Sequence, residues 1–323
     1  MPVALCQTFK NRMFLQSPHG WVEGGRLARV WQRATGSGAA TKSNTWLPGT
    51  QTMPELPEVE TTKRGLAPHL EGRTVKLCEI RQHSLRWPVD ADFAEKIQGA
   101  RIKRLDRRAK YLLVETDKGL AIWHLGMSGS LRIVDGKLSP EKHDHIDWLL
   151  DSGQRLRFHD PRRFGALLWT TEDIADHELI AHLGPEPLSD EFHRDYLFSA
   201  SRNRKAPVKT FIMDGRIVVG VGNIYASEAL FMAGIRPQTP AGKITRPRYA
   251  RLVEAIKTVL AAAIEQGGTT LKDFVGGDGK PGYFAQQLNA YGRAGQPCPR
   301  CPGTIREQII GQRNTFFCPR CQR

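Results

Sequence analysis

Hydrophobic and polar residues change rhythm along this chain, and each rhythm predicts a different kind of structure. From Glu58 onward, Val59, Thr62, Leu66 and Leu70 recur at helical spacing, and the pattern stops near Gly72. Short apolar runs broken by turn residues follow. Ala109 to Glu115, Leu120 to Leu125, Ser130 to Val134, Ile146 to Leu150, Arg155 to His159 and Ala166 to Trp169 read as strands, with hairpin turns at Asp117-Lys118-Gly119, Asp135-Gly136 and Asp151-Ser152-Gly153. Strands at this spacing predict an antiparallel β-sandwich packed against the first helix. After Leu183-Gly184-Pro185-Glu186-Pro187 the rhythm is helical again. Its clearest stretch runs from Pro247 to Gln266, where Leu252, Ala255, Ile256, Val259, Leu260 and Ala263 form one apolar stripe before Gly267-Gly268. The expected fold class is α+β and multidomain: an N-terminal antiparallel β-sandwich with flanking helices, then a mostly helical domain.

Composition adds a partner to this picture. The 323 residues carry 47 Lys and Arg against 33 Asp and Glu, a formal charge of +14 that is spread along the whole chain. A polyanion is the natural complement. No stretch approaches the ~18 apolar residues of a membrane helix. Residues 1–52 hold one acidic residue, Glu23, among Lys10, Arg12, Arg26, Arg29, Arg33 and Lys42, and they show no sustained periodicity. A start codon assigned too early, an organelle-targeting peptide and a flexible basic arm all suit this extension. The Met53-Pro54 junction and the lack of folding signals favour the first, with the segment disordered if present.

Three stretches carry candidate chemistry. Cys298-Pro299-Arg300-Cys301 is followed, sixteen residues on, by Cys318-Pro319-Arg320-Cys321. Two CxxC pairs at this separation match a closed, structural zinc site, with reducible disulfides as the alternative. Thr304 to Gln308 and Thr315 to Phe317 would be the strands of a ribbon with Arg313 at its tip, while Cys6 and Cys78 stand outside the pattern. Val219-Gly220-Val221-Gly222-Asn223 opens a helix whose free N–H groups would favour an anion, although the same residues also suit a plain tight turn. Asp160-Pro161-Arg162-Arg163-Phe164-Gly165 offers a base-stack wedge beside two cations, unless Phe164 belongs to the core.

The stretch Met53-Pro54-Glu55-Leu56-Pro57-Glu58 gives these parts a reaction. If Met53 is removed, Pro54 presents a secondary amine, a group that titrates near ~8 and attacks a sugar C1′ to give an iminium. Glu55 and Glu58 could then move protons. The same residues would also serve an ordinary helix start, with Pro57 at the first helical position and the glutamates favoured by the dipole.

From Met53 to the end, the chain resembles bacterial formamidopyrimidine-DNA glycosylases. The resemblance is carried by the Pro54 to Glu60 start, Arg107-Arg108-Ala109-Lys110-Tyr111-Leu112, His124 to Ser130, Lys142-His143-Asp144-His145, the Asp160 to Gly165 loop, Val219 to Glu228, Thr269 to Phe274, Asp278 to Gln286 and the cysteine ribbon. It implies an N-terminal β-sandwich over residues 53–186, a helix-two-turn-helix domain over 187–290 and a zinc-ribbon finger over 291–323. It further implies a bifunctional DNA glycosylase and AP lyase of base excision repair, acting on oxidised purines in damaged double-stranded DNA. Pro54 would be the nucleophile, Glu55 the acid and base at the sugar, Lys110 the residue of β-elimination and Arg313 that of δ-elimination. Met127, Arg162 and Phe164 would fill the gap left by a flipped nucleotide, and His143, Arg204 and Asn223 would contact DNA. Cys298, Cys301, Cys318 and Cys321 would hold one structural Zn2+. The segment Lys272 to Tyr283 resembles a loop that closes on the extruded base. A monomer in the bacterial cytoplasm, associated with the nucleoid, completes the expectation. An endonuclease VIII-like enzyme for oxidised pyrimidines and a DNA-binding zinc protein without lyase chemistry are the alternatives.

Overall fold

The computed structural model describes residues 54–268 and 288–323. The expected extension over 1–52 and the Lys272 to Tyr283 loop lie outside the described residues. Helix α1 runs over Leu56–Leu70 with Glu55 as its N-cap. Its first turn is closed by Glu58, whose carboxylate accepts the Glu55 backbone N–H at 2.8 Å. Pro57 is the second helical residue, one place later than expected, where its missing N–H still costs nothing. Leu56, Val59, Leu66 and Leu70 form the buried face.

Eight strands build the sandwich: β1 (Val75–Ile80), β2 (Ile102–Arg108), β3 (Tyr111–Thr116), β4 (Leu120–His124), β5 (Ser130–Asp135), β6 (Asp144–Leu150), β7 (Gln154–His159) and β8 (Ala166–Thr170), with short helix α2 (Phe93–Ile97) between β1 and β2. They form two four-stranded antiparallel sheets, ordered β1-β6-β7-β5 and β2-β3-β4-β8. An aromatic cluster fills the space between them, with Trp123 5.1 Å from Phe158 and 5.6 Å from Trp148, ring centre to ring centre. Two strands escape the hydrophobic pattern. The register shifts within β1 between Val75 and Leu77 and within β2 between Ile102 and Arg104, and each irregularity breaks the alternation that marks a strand in sequence. Ala109 and Lys110 do not open β3 as expected; they form the tight link between Arg108 and Tyr111, with Ala109 at φ +54°.

On the face of the first sheet away from the aromatic cluster, buried acids meet arginines. The Arg157 guanidinium is 1% exposed, donates to both oxygens of Asp147 at 2.9 and 2.7 Å and reaches the Leu138 and Ser139 carbonyls. Asp144 accepts from Arg132 at 3.0 Å, from His159 at 2.9 Å and from the Glu141 N–H at 2.8 Å.

The helical part comprises α3 (Arg194–Ser201), α4 (Val208–Ile212), α5 (Asn223–Ala233) and α6 (Arg246–Gly268). Helix α5 is largely apolar because it is buried along nearly all its length, with Met232 left exposed. Ala226, Ala229 and Leu230 join the helical core with Leu252 and Ile256 of α6, while Phe231 packs with Ile305 and Phe316 of the C-terminal ribbon. Gly234 ends α5 in the left-handed conformation that favours glycine. The ribbon pairs β9 (Arg306–Ile310) with β10 (Arg313–Phe317), so Arg313 opens β10 directly after the Gly311-Gln312 turn.

Asp144 provides a test of the buried ion pairs. Burial works to raise its pKa, but His159, the Glu141 N–H, Arg132 and Arg157 outweigh it and hold the carboxyl down at about 2. Its stabilisation is therefore present above the ordinary value of 3.8 and is lost as pH falls through about 2. Asp144→Asn should cost about 3 kcal/mol at neutral pH, by removing the buried negative charge that Arg132, Arg157 and His159 meet, and should remove that part of the acid dependence. Urea unfolding at pH 7 and at pH 3 measures both effects.

Candidate active site and nucleic-acid interface

The site is assembled around one buried carboxylate. Glu55 is 2% exposed, and its oxygens accept backbone N–H groups from Gly222 at 2.8 Å, Ile224 at 2.9 Å and Tyr225 at 3.4 Å. These are the free donors at the start of α5, where the dipole favours negative charge. The anion expected at this helix start is thus supplied by the chain itself. The glycines before α5 make room for it: a Cβ on Gly222 would lie 2.2 Å from Glu55 Cδ, and one on Gly220 would lie 2.4 Å from Leu56 Cδ1. Half-buried Pro54 is thereby fixed beside Glu55.

Burial pushes the Glu55 pKa up to about 7, against the opposing pull of Lys110 and with a smaller upward push from Glu58. Glu58 is raised too, chiefly by burial, although the Tyr225 hydroxyl donates to it at 2.7 Å. A carboxyl poised near neutrality can both give and take a proton. Lys110 approaches this pair from the β2–β3 turn and also lies close to His124, whose pKa is driven down to about 4 by burial, then by Arg86 and Lys110. A neutral His124 accepts the Gly126 N–H on Nδ1 at 3.0 Å, which leaves Nε2–H as a donor.

The ribbon reaches the same place through Lys209. This lysine is 0% exposed, and its ammonium donates to Asn223 Oδ1 at 2.5 Å, Thr315 Oγ1 at 2.7 Å and the Asn314 carbonyl at 3.2 Å. Asn223 Nδ2 donates to that same carbonyl at 3.0 Å. Burial lowers the Lys209 pKa to about 8, with Glu55 pulling up and Arg313 pushing down. Asn223 and Arg313 are therefore drawn to the side of the site where Glu55 lies. Neither Lys209 nor Tyr225 stood out from the sequence. The one available signal for Lys209 was a lysine at a helical position among Val208, Phe211 and Ile212.

Met127, Arg162 and Phe164 form a second cluster. Gly126 lies so close to the Phe164 backbone that a Cβ would approach its carbonyl carbon to 2.3 Å, which sets the Met127 loop directly against the Phe164 loop. Phe164 is 44% exposed, not a core residue, and the Arg162 guanidinium stacks 4.9 Å from its ring centre. Asp160 shapes the loop by accepting the Gly165 N–H at 2.8 Å and the Ser128 hydroxyl at 2.6 Å. His143 adjoins it, since its carbonyl accepts the Asp160 N–H at 3.0 Å. Arg204 lies elsewhere, exposed in the turn after α3, with its carbonyl bonded to Gly242 N–H at 2.9 Å.

The four tail cysteines suit a metal. Their sulfurs all lie within 4.8 Å of one another, with Cys298 to Cys321 at 3.8 Å and Cys301 to Cys318 at 3.6 Å. A zinc tetrahedron with bonds of ~2.3 Å has sulfur–sulfur edges of roughly 3.8 Å. Disulfides would need ~2.05 Å. Backbone N–H groups of Arg300 and Cys321 point at the Cys298 and Cys318 sulfurs at 3.4 and 3.5 Å. Four protein sulfurs leave no open position, so the metal holds the ribbon and takes no part in chemistry.

Comparison with known proteins agrees with this architecture. Family models for the formamidopyrimidine-DNA glycosylase N-terminal domain, the formamidopyrimidine-DNA glycosylase H2TH domain and the zinc finger found in FPG and IleRS match residues 53–167, 183–275 and 295–323. The formamidopyrimidine-DNA glycosylase of Saccharophagus degradans is 57% identical over 271 residues, covering 84% of this chain and all of that protein. The chain belongs to the formamidopyrimidine-DNA glycosylase family. It is a DNA-repair glycosylase with a β-sandwich, an H2TH domain and a zinc finger that binds one structural ion. Among solved structures, the MutM (Fpg) protein of Thermus thermophilus is similar at 39% identity and a TM-score of 0.72, covering 83% of this chain and 98% of that one. The Lactococcus lactis Fpg in complex with a FAPY-dG-containing DNA is similar at 29% identity and a TM-score of 0.76, covering 83% of this chain and all of that one.

Two outcomes follow from this geometry. The pH profile of base excision should show a limb near pH 7, with Glu55 protonated below it and ionised above, and Glu55→Gln should lower the rate at least ~100-fold and abolish the limb. Chelation of zinc should unfold the ribbon and withdraw Asn314 and Thr315 from Lys209, so duplex affinity should fall in step with metal loss measured on the same sample.

Proposed function

We propose that this protein excises oxidised purines, 8-oxoguanine and formamidopyrimidines, from damaged double-stranded DNA and then cleaves the strand through an imine on Pro54. The observation that carries the reading is the Pro54-Glu55 junction, a half-buried proline beside a buried carboxyl held near neutral pKa with Lys110 at hand. The Pro54 lone pair attacks C1′ as the glycosidic bond breaks, the bonding electrons leave with the base, and the proton that the attacking nitrogen gives up passes to that base. Glu55 donates its proton to the sugar ring oxygen, the ring opens, and nitrogen and C1′ become an iminium. Loss of a C2′ proton then expels the 3′ phosphate by β-elimination, assisted by Lys110. A second elimination, assisted by Arg313, expels the 5′ phosphate, and water releases the sugar remnant and restores the amine.

Binding follows from the same map. Extruding a nucleotide costs a few kcal/mol of stacking, which Met127, Phe164 and the Arg162 guanidinium offset by filling the gap. Asn223, Lys110 and Arg313 grip the lesion phosphates, while His143 and Arg204 contact the flanking backbone. The net charge of +14 supports a salt-sensitive grip on phosphate. The reading carries with it a sandwich over 53–186, a DNA-binding helical domain over 187–290, a finger over 291–323, and a monomer working in the bacterial cytoplasm at the nucleoid. Among the described residues no helix is long and apolar enough to cross a membrane.

The amine sets a condition. With Met53 attached, the Pro54 nitrogen is a tertiary amide whose lone pair is delocalised into the carbonyl, and it cannot form an iminium. Borohydride trapping on an 8-oxoguanine duplex should give a covalent adduct with protein beginning at Pro54. Protein beginning at Met1, or a Pro54→Gly variant, should bind the duplex with little or no adduct. Equal trapping by all three would remove Pro54 from the mechanism, and preferential cleavage at 5,6-dihydrouracil would move the substrate to oxidised pyrimidines.

A further inference from the structure

The turn that carries Lys110 is held by a residue outside both strands it joins. Ala109 adopts φ +54° in the link between Arg108 and Tyr111, a conformation in which a side chain is strained and glycine is the ordinary choice. Glu186 meets it from the segment between sandwich and helices. Its Oε1 accepts the Ala109 N–H at 2.7 Å and Arg108 Nη1 at 2.9 Å, and its Oε2 accepts Arg107 Nη1 at 2.8 Å. Arg107 closes the ring by donating to the Ala109 carbonyl at 2.9 Å and, through Nε, to Glu60 of α1 at 2.9 Å. Both backbone polar groups of the strained residue are thus engaged by one carboxylate and its guanidinium partner.

The same segment is tied to the other side of the site. The Pro185 carbonyl accepts the Val219 N–H at 3.2 Å, and the Gly220 carbonyl accepts the Leu56 N–H at 3.2 Å, one residue beyond Glu55. Hydrogen bonds therefore run from the Lys110 turn through Pro185-Glu186 and Val219-Gly220 to the residue that follows Glu55. We propose that Glu186 is a positioning residue for Lys110, holding the β2–β3 turn in register with Pro54 and Glu55. This rests on the role given above to Lys110.

Glu186→Gln keeps the shape of the side chain but sets an amide NH2 against the guanidinium groups, donor to donor, so the turn should loosen. Single-turnover cleavage of a preformed abasic duplex, with saturating enzyme beginning at Pro54, tests this on the wild type, Glu186→Gln, Lys110→Ala and the double variant. Glu186→Gln should slow cleavage about tenfold, the scale of a misplaced reacting group. In the double variant it should add less than about twofold to the Lys110→Ala loss, because its effect passes through Lys110. Arg107→Lys keeps the charge but cannot bridge Glu60, Glu186 and the Ala109 carbonyl together; it should show the same loss and the same dependence on Lys110, and it carries the test if Glu186→Gln does not fold. Wild-type cleavage by Glu186→Gln, or a full tenfold further loss in the double variant, would overturn the positioning role. A Lys110→Ala enzyme that cleaves at the wild-type rate would instead remove Lys110 from the mechanism, and this proposal with it.

Discussion

The rest of the molecule depends on the bond set between the Glu55 carboxylate and the first N–H groups of α5. A helix start offers unpaired donors and a positive dipole end, and a buried carboxylate needs both to tolerate its loss of water. Here the two needs are met by residues 167 to 170 positions apart in sequence. The contact places the first residues of α1 against the helical domain, and it fixes where the Pro54 nitrogen can be. Gly220 and Gly222 are small so that Leu56 and Glu55 can approach this closely.

The same device recurs at the other joints. Asp160 gathers the Gly165 N–H and the Ser128 hydroxyl to shape the Phe164 loop, and Glu186 gathers the Ala109 N–H with two guanidinium groups at the Lys110 turn. Glu228 accepts the N–H groups of Asn289, Ala290 and Tyr291 at 2.9, 2.9 and 2.8 Å, anchoring the approach to the ribbon on α5. In a strongly basic protein, many of the acids that matter are turned inward to hold irregular backbone. Arg162, Arg204 and Arg313, by contrast, are left exposed.

Much of this was legible in the sequence, for physical reasons that differ by element. Strands β4 to β8 were readable as short apolar runs bounded by turn residues and helix α6 by its apolar stripe, and the cysteine ribbon because metal ligation fixes its spacing. Strands β1 and β2 were not, because their bulges disrupt the alternation. Lys110 read as a strand residue because nothing local announces that Ala109 is left-handed; the cause is Glu186, more than seventy residues away. The glycines before α5 were visible as a motif, but their purpose was not, since the anion they make room for comes from the start of α1, 167 residues before Gly222. Lys209 escaped for the same reason, its acceptors lying on α5 and on the ribbon.

That last clamp has a consequence for how the protein comes into being. Two of the three acceptors of the buried Lys209 ammonium, the Asn314 carbonyl and the Thr315 hydroxyl, belong to β10 of the ribbon. Without that strand Lys209 keeps one acceptor, Asn223 Oδ1, and a strong reason to stay in water, while the first N–H groups of α5 still have the Glu55 carboxylate. Burial of the Lys209 ammonium is accordingly coupled to docking of the ribbon, so the Asn223 side of the site takes its form only when the ribbon has folded against α4 and α5.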